Sequence, residues 1–371
     1  MRRRAEQLHE ALERGEEPGP DRSGLAAAAL AGVVHLVTAA VVLGSVALLV
    51  AGPWPLRVLG GCGLLLGYAL RPRFGRLRPD PADLARAEAP ELYALADRVA
   101  AAVGAEPVHL IRVTGEFGAS FERIGLRRRA VLRIGLPYWA VLTGPERVAL
   151  LGHELGHDVN GDPRRGRWLR SAESTLREWR LVAHRVEPER DFVGFTIRIV
   201  RSVALVPRRL LGLGPERLLA LLERLGARSG QRAEYLADRF SATVAPPAAV
   251  RGMLAGLLLA PSAEAAATRI RARPGEDGRP GRDRAVAEYW AELSGLAAGL
   301  PPHELERRLR LSAREFGAAD PAHPPTHLRI RLLTARPVDP APVAFRRIEQ
   351  EKVEAELAGA RARVGAELLG H

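Results

Sequence analysis

Two histidines four residues apart, His153 and His157, lie in the stretch Leu150-Leu151-Gly152-His153-Glu154-Leu155-Gly156-His157. On a helix, residues four positions apart stand one above the other on a single face. Two imidazole nitrogens placed so can hold one zinc ion at about 2.0–2.1 Å. Glu154 follows the first histidine directly, too close in sequence to complete the coordination comfortably. It is well placed to reach a water on the metal and take its proton as a general base. These residue types at this spacing suit metal-assisted hydrolysis. The same five residues on an amphipathic helix also describe a surface histidine pair that holds nothing.

A third ligand must come from elsewhere in the chain. Cys62 is the only cysteine, which excludes an intrachain disulfide and any cysteine-based metal site. His, Asp and Glu must therefore supply it. Downstream, Gly230-Gln231-Arg232-Ala233-Glu234-Tyr235-Leu236-Ala237-Asp238 puts Glu234 and Asp238 on one helix face with alanines opposite. Glu234 would complete a His/His/Glu set that leaves one position to water. Asp238, one turn on, can accept the N–H of a ligand histidine and fix its tautomer. Taken alone, Glu-x-x-x-Asp equally describes a solvated helix face. Asn160 either supports a ligand histidine or caps the end of the motif helix, near Gly161 and Pro163. His323 sits in a rigid turn, Asp320-Pro321-Ala322-His323-Pro324-Pro325-Thr326, in which Thr326 can cap the next helix.

The elements that must carry these residues are legible in outline. Thr143-Gly144-Pro145-Glu146 reads as a capping box with proline in the first turn, and Val148, Ala149, Leu151 and Leu155 give the helix an apolar side. Gly152 and Gly156 each cost about 1 kcal/mol in a helix interior, which implies close packing against the backbone there. Val108 to Val113 and Ala130 to Gly135 alternate as strands, with Phe117 to Phe121 as a third between them. A small sheet beside the motif helix can offer its exposed edge to an extended peptide. That edge is assigned to Ala130, Val131, Leu132, Arg133 and Ile134, with a plain packing sheet as the alternative.

The 371 residues carry a net charge of +12, almost wholly from arginine, Lys352 being the single lysine. The arginines are scattered and partly balanced by glutamate. Aromatic content is 5%, with no basic stripe interleaved with aromatics, so nucleic acid is not an expected partner. From Leu25 to Ala51 no residue is charged, long enough to cross a hydrocarbon core of about 30 Å and too long for a signal peptide. His35 within it reads as a polar residue in a helix interface. A second apolar run, Leu56 to Leu70, follows Gly52-Pro53-Trp54-Pro55. The basic clusters at Arg2 to Arg4 and at Arg71, Arg73, Arg76 and Arg78 both favour the cytoplasmic side. Together these predict a hairpin whose two ends face the cytoplasm. Phe192 to Leu225 is apolar but broken by arginines, either a surface-lying amphipathic helix pair or part of the soluble body.

At this point the chain resembles the HtpX and CAAX prenyl protease family of membrane zinc endopeptidases (gluzincins, metallopeptidase family forty-eight). The resemblance covers roughly Leu84 to Leu333 and the preceding hairpin. It rests on His153-Glu154-Leu155-Gly156-His157 with Asn160 and Asp162, on Arg232-Ala233-Glu234-Tyr235-Leu236-Ala237-Asp238, and on His323-Pro324-Pro325-Thr326 with Arg329. It implies one zinc per chain on His153, His157 and Glu234, with Glu154 as base and Asp238 in support. His323 is then expected near the substrate carbonyl, where it steadies the oxyanion; the alternative is a turn residue beside a helix start. Two departures bear on specificity and span count. The family often has Asn-Ala on its peptide-binding edge where this chain has Gly118-Ala119-Ser120, and the region after Pro207 is richer in arginine.

The expected fold is α+β and mostly α-helical: a membrane-anchored, zincin-like metalloprotease domain with a small β-sheet beside the H-E-x-x-H helix. The expected organisation is a polar segment at 1–22, a transmembrane hairpin at 23–71 and a metalloprotease core at 80–272. A flexible linker at 273–284 follows, then the rest of the protease domain at 285–340 and a charged helix at 341–371. The expected function is hydrolysis of peptide bonds in membrane or misfolded proteins, by an integral membrane enzyme whose catalytic domain is cytoplasmic. A catalytically silent, membrane-tethered scaffold and a prenyl-protein endopeptidase are the alternatives.

Overall fold

The computed structural model describes residues 2–14, 21–71, 77–125, 127–160, 162–185, 214–273, 279–298, 301–314 and 323–370. The chain is mostly helical with one four-stranded mixed sheet. It divides into two units, each drawn from separate stretches. The first comprises Met1–Gly19, Arg76–Pro163 and Gly230–His371; the second comprises Pro20–Gly75 and Arg164–Ser229. The grouping differs from the linear order expected above. Residues 164–229 belong with the apolar helices rather than with the core at 80–272, and the N-terminal segment belongs with the first unit.

In the first unit, strand β1 (Asp83–Leu84) pairs antiparallel with β2 (Leu110–Thr114), β2 pairs parallel with β4 (Arg129–Gly135), and β3 (Ala119–Ile124) closes the sheet antiparallel to β4. The order β1-β2-β4-β3 places β4 in the interior. Ala130, Val131, Leu132, Arg133 and Ile134 therefore bond to a strand on each side and cannot receive another. The exposed edge expected there is corrected: the edge strand beside β4 is β3, whose register runs from Ala119 opposite Ile134 to Ile124 opposite Arg129. The physical cause shows in the burial. Ala130, Val131 and Leu132 are buried in succession, as a strand covered on both faces requires.

Helix α4 (Pro90–Val103) packs Leu92, Leu95, Ala96 and Val99 into the same core as Val148, Leu151 and Leu155 of helix α6 (Gly144–Val159). Tyr93 joins β1 and β2 to it, its hydroxyl donating to the Leu84 carbonyl at 2.8 Å and accepting from the Ile111 N–H at 2.9 Å. The C-terminal stretch is two helices, α14 (Arg347–Glu356) and α15 (Ala358–Leu369), rather than one. Val353, Leu357, Ala360, Val364 and Leu369 are buried in this core. The Glu356 carboxylate accepts the N–H groups of Glu91 and Leu92 at 2.8 and 3.0 Å, satisfying open donors at the α4 N-terminus. The stretch expected to be a separate charged helix is thus part of the domain.

Of the segment read as a linker, residues 274–278 lie outside the described residues and Arg279–Arg284 open helix α11 (Arg279–Ala298). Residues up to 213 of the arginine-broken run at 192–225 also lie outside them. Thr326 is the first residue of helix α13 (Thr326–Ala335), with Pro325 at the cap position and no side-chain cap bond.

In the second unit, helix α2 (Arg22–Ala51) turns Gly24, Ala27, Ala31, Val34, Thr38 and Ser45 inward, a spacing of three, four or seven that keeps one face. Leu36, Leu43 and Val50 on its other faces are 71%, 69% and 75% exposed. Helix α3 (Trp54–Ala69) returns antiparallel along it, with Gly60, Gly63 and Gly67 set against Leu49, Ser45 and Val42. Leu169, Ala172 and Leu176 of helix α7 (Asp162–Arg185) pack on Ala27, Ala31 and Val34. His35 meets α7 as the interface residue expected: its Nε2 lies 3.0 Å from the Ser171 hydroxyl and its ring stands edge-on to Trp168. Among the described residues, α2 is the one helix long and apolar enough to cross a membrane.

Candidate metal centre

The motif helix starts as its sequence dictates. Glu146 reaches back to accept the Thr143 N–H at 2.7 Å, completing the capping box ahead of α6. The two glycines then explain themselves. A side-chain carbon on Gly152 would collide with Val244 and Ser241, and one on Gly156 with Phe240. These neighbours belong to helix α8 (Gly214–Val244). The Ser241 hydroxyl donates to the Ala149 carbonyl at 2.7 Å, so the two backbones lie nearly in contact. That approach carries Glu234 and Asp238 to the histidines.

His153 Nε2 and His157 Nε2 are 3.3 Å apart. Glu234 presents Oε2 at 3.5 Å from His153 Nε2 and Oε1 at 3.5 Å from His157 Nε2. A tetrahedral ion with bonds of about 2.0–2.1 Å needs its ligand atoms about 3.3–3.4 Å from one another. The three side chains match that spacing and form a group that can hold a metal ion. His153 and Glu234 are buried, and His157 is partly so.

Asp238 Oδ1 lies 3.1 Å from His153 Nδ1, so that nitrogen carries the proton and Nε2 faces the cage. Burial by itself would lower the His153 pKa. The Asp238 and Glu234 carboxylates outweigh it and hold it up at about 10. Burial would raise both carboxyls, yet each is pulled below its ordinary range, chiefly by Arg329 and with help from His153. Both carboxylates are therefore ionised, as a metal ligand and its support must be.

Glu154 is buried on α6, turned about 100° around the helix from His153. Asn160 stands at the C-cap of α6, its backbone N–H donating to the Gly156 carbonyl at 3.1 Å. His323 has a largely exposed side chain and lies at the rim, its Nε2 3.2 Å from Glu234 Oε1. Beside the cage, Arg123 of β3 grips Asp158 of α6 through two bonds of 2.7 and 2.6 Å, tying this edge strand to the motif helix.

The residue that sequence reasoning left without a role is Arg329. It is 4% exposed and touches both carboxylates. A signal for it was present: with Leu332 and Leu333 three and four positions on, Arg329 occupies the apolar face of its helix. No family model, no curated protein and no solved structure matches the chain.

Proposed function

We propose that this protein is a membrane-anchored zinc endopeptidase, of the kind its motifs resemble, which hydrolyses peptide bonds of membrane or misfolded proteins on the cytoplasmic side of a plasma membrane. The observation that carries this reading is the convergence of Glu234 on the two motif histidines at metal-ligand spacing. A solvated helix face would not bury that carboxylate, and a surface histidine pair would not meet one.

His153, His157 and Glu234 would hold the ion. Zinc, when bound there, supplies a Lewis acid and lowers the pKa of its water toward about 7. Glu154 takes the proton of the attacking water on its carboxylate and delivers it to the nitrogen of the leaving amine. With the ion bound, Asp238 would keep the proton on His153 Nδ1 and so leave the Nε2 lone pair to the metal. His323, at the rim, is the group we assign to the substrate carbonyl oxygen as negative charge develops there. Among the described residues no strand pairs with the outer edge of β3, and an extended substrate added to it would run alongside α6, to which Arg123 fastens the strand.

The test is cleavage of casein by the purified, detergent-solubilised full chain. Cleavage should stop with a chelator and return with added zinc. A zinc-loaded chain that leaves casein and itself intact would count for a tethered scaffold instead.

Anchoring rests on α2 and its exposed apolar faces. On a water-facing surface, replacing Leu43 and Val46 by arginine would be nearly neutral. Within a membrane span each arginine costs up to about 2.5–3.5 kcal/mol, the full amount only at the centre, so the pair costs several kcal/mol. The parent chain should occupy the carbonate-resistant membrane pellet, and the double variant Leu43→Arg/Val46→Arg should leave it. Equal retention of the two proteins would argue against the span.

A further inference from the structure

Glu234 and Asp238 lie one turn apart on α8, 6% and 2% exposed. Two buried carboxylates so close repel each other and lose their hydration. In a cage built around an ion, the ion would be the natural remedy. Here a second remedy is already in place. Arg329 enters from α13 and lays its guanidinium against both. Nε donates to Asp238 Oδ2 at 2.8 Å and Nη2 to Asp238 Oδ1 at 2.6 Å, the two-pronged contact a guanidinium makes with a carboxylate. Nη1 lies 3.1 Å from Glu234 Oε2, and Nη2 is 3.4 Å from His153 Nδ1.

We infer that Arg329 is a positioning residue, an internal counter-ion that keeps the cage assembled before the metal arrives and opposes the metal once it does. The inference rests on the zinc reading of the site. One cation serves both the carboxylate that would bind the ion and the carboxylate that orients His153. With it in place, one of the two negative charges of metal-free Glu234 and Asp238 is offset, and both side chains are pinned. Because that positive charge sits on a ligand oxygen, it also repels an incoming divalent cation. Arg329 thus exchanges part of the zinc affinity for order in the empty site. Lysine cannot do the same: its single ammonium cannot engage both Asp238 oxygens in the planar two-pronged geometry and reach Glu234 as well.

The experiment compares thermal melting of the parent chain, Arg329→Gln and Arg329→Lys, each metal-free and zinc-loaded, with zinc affinity read by chelator competition. In Arg329→Gln the metal-free melting temperature should fall much more than the zinc-loaded one, so that the increment from zinc grows. By the same thermodynamic cycle, zinc should bind the variant about tenfold or more tightly. A variant that folds only with zinc is the extreme form of this result. Arg329→Lys keeps the charge and should fall between parent and Gln on both readings.

If Arg329→Gln lowers both melting temperatures equally, or binds zinc more weakly than the parent, Arg329 is an ordinary packing tether and the inference is wrong. Should it fail to fold even in zinc, the Lys variant decides by the same two readings. Failure of the zinc reading itself is separate, because the parent chain would then show no zinc increment.

Discussion

Glu154→Gln is expected to bind one zinc per chain and to cleave casein about 10²–10⁴-fold more slowly than the parent, the usual worth of a general acid–base group. The amide has nearly the same shape and no charge, so a buried position accepts it without loss of fold. The three ligand side chains are untouched. What the variant lacks is a proton acceptor, which is needed in the transition state and contributes little to binding. The fall should therefore appear in kcat, with KM nearly unchanged. Glu154→Asp, with its carboxylate drawn back by one methylene, should lie between the two. Undiminished turnover by Glu154→Gln would falsify the assignment of the base.

The second large effect lies at the other end of α6. Arg147 is 8% exposed, and burial depresses its pKa. Its Nε donates to the Trp139 carbonyl at 3.1 Å, and its Nη1 lies 2.7 Å from Glu354 Oε1 on α14. Arg361 of α15 holds the other oxygen of Glu354. Glu354→Leu strands a buried guanidinium, and breaking one side of such a pair costs about 3–5 kcal/mol. In urea unfolding of the solubilised chain, the variant should lose that much stability. Arg147→Met/Glu354→Leu should recover most of it, since replacing both partners by apolar groups is often neutral. A single variant as stable as the parent would show that the C-terminal helices do not brace the motif helix.

The sequence made some of this plain and hid the rest, for physical reasons. The capping box, the histidine spacing and the close approach at Gly152 and Gly156 depend on neighbours within a turn or two, and all were readable. Glu234 was readable as a residue type, but its meeting with His157 required two helices to touch. The edge strand was misassigned because alternation marks a half-buried strand without saying where it lies in a sheet. The unbroken run Ala130-Val131-Leu132 was the available hint of an interior position. The C-terminal helices looked solvated because charge dominates their composition. Yet Val353, Leu357, Ala360 and Val364 recur at intervals of four, three and four, which is a buried stripe. Arg329 was readable as a charge on the apolar face of its helix, but its partners were not, because they required three elements to converge.

Both excursions into the second unit, 20–75 and 164–229, leave the first unit and return to it. During synthesis the two histidines thus leave the ribosome long before the carboxylate that completes their set. Some 77 residues separate His157 from Glu234, about 4–15 s at usual elongation rates of about 5–20 residues per second. Arg329 and the bracing helices follow later still. A newborn chain therefore lacks the complete His153, His157 and Glu234 set until its apolar helices have already emerged.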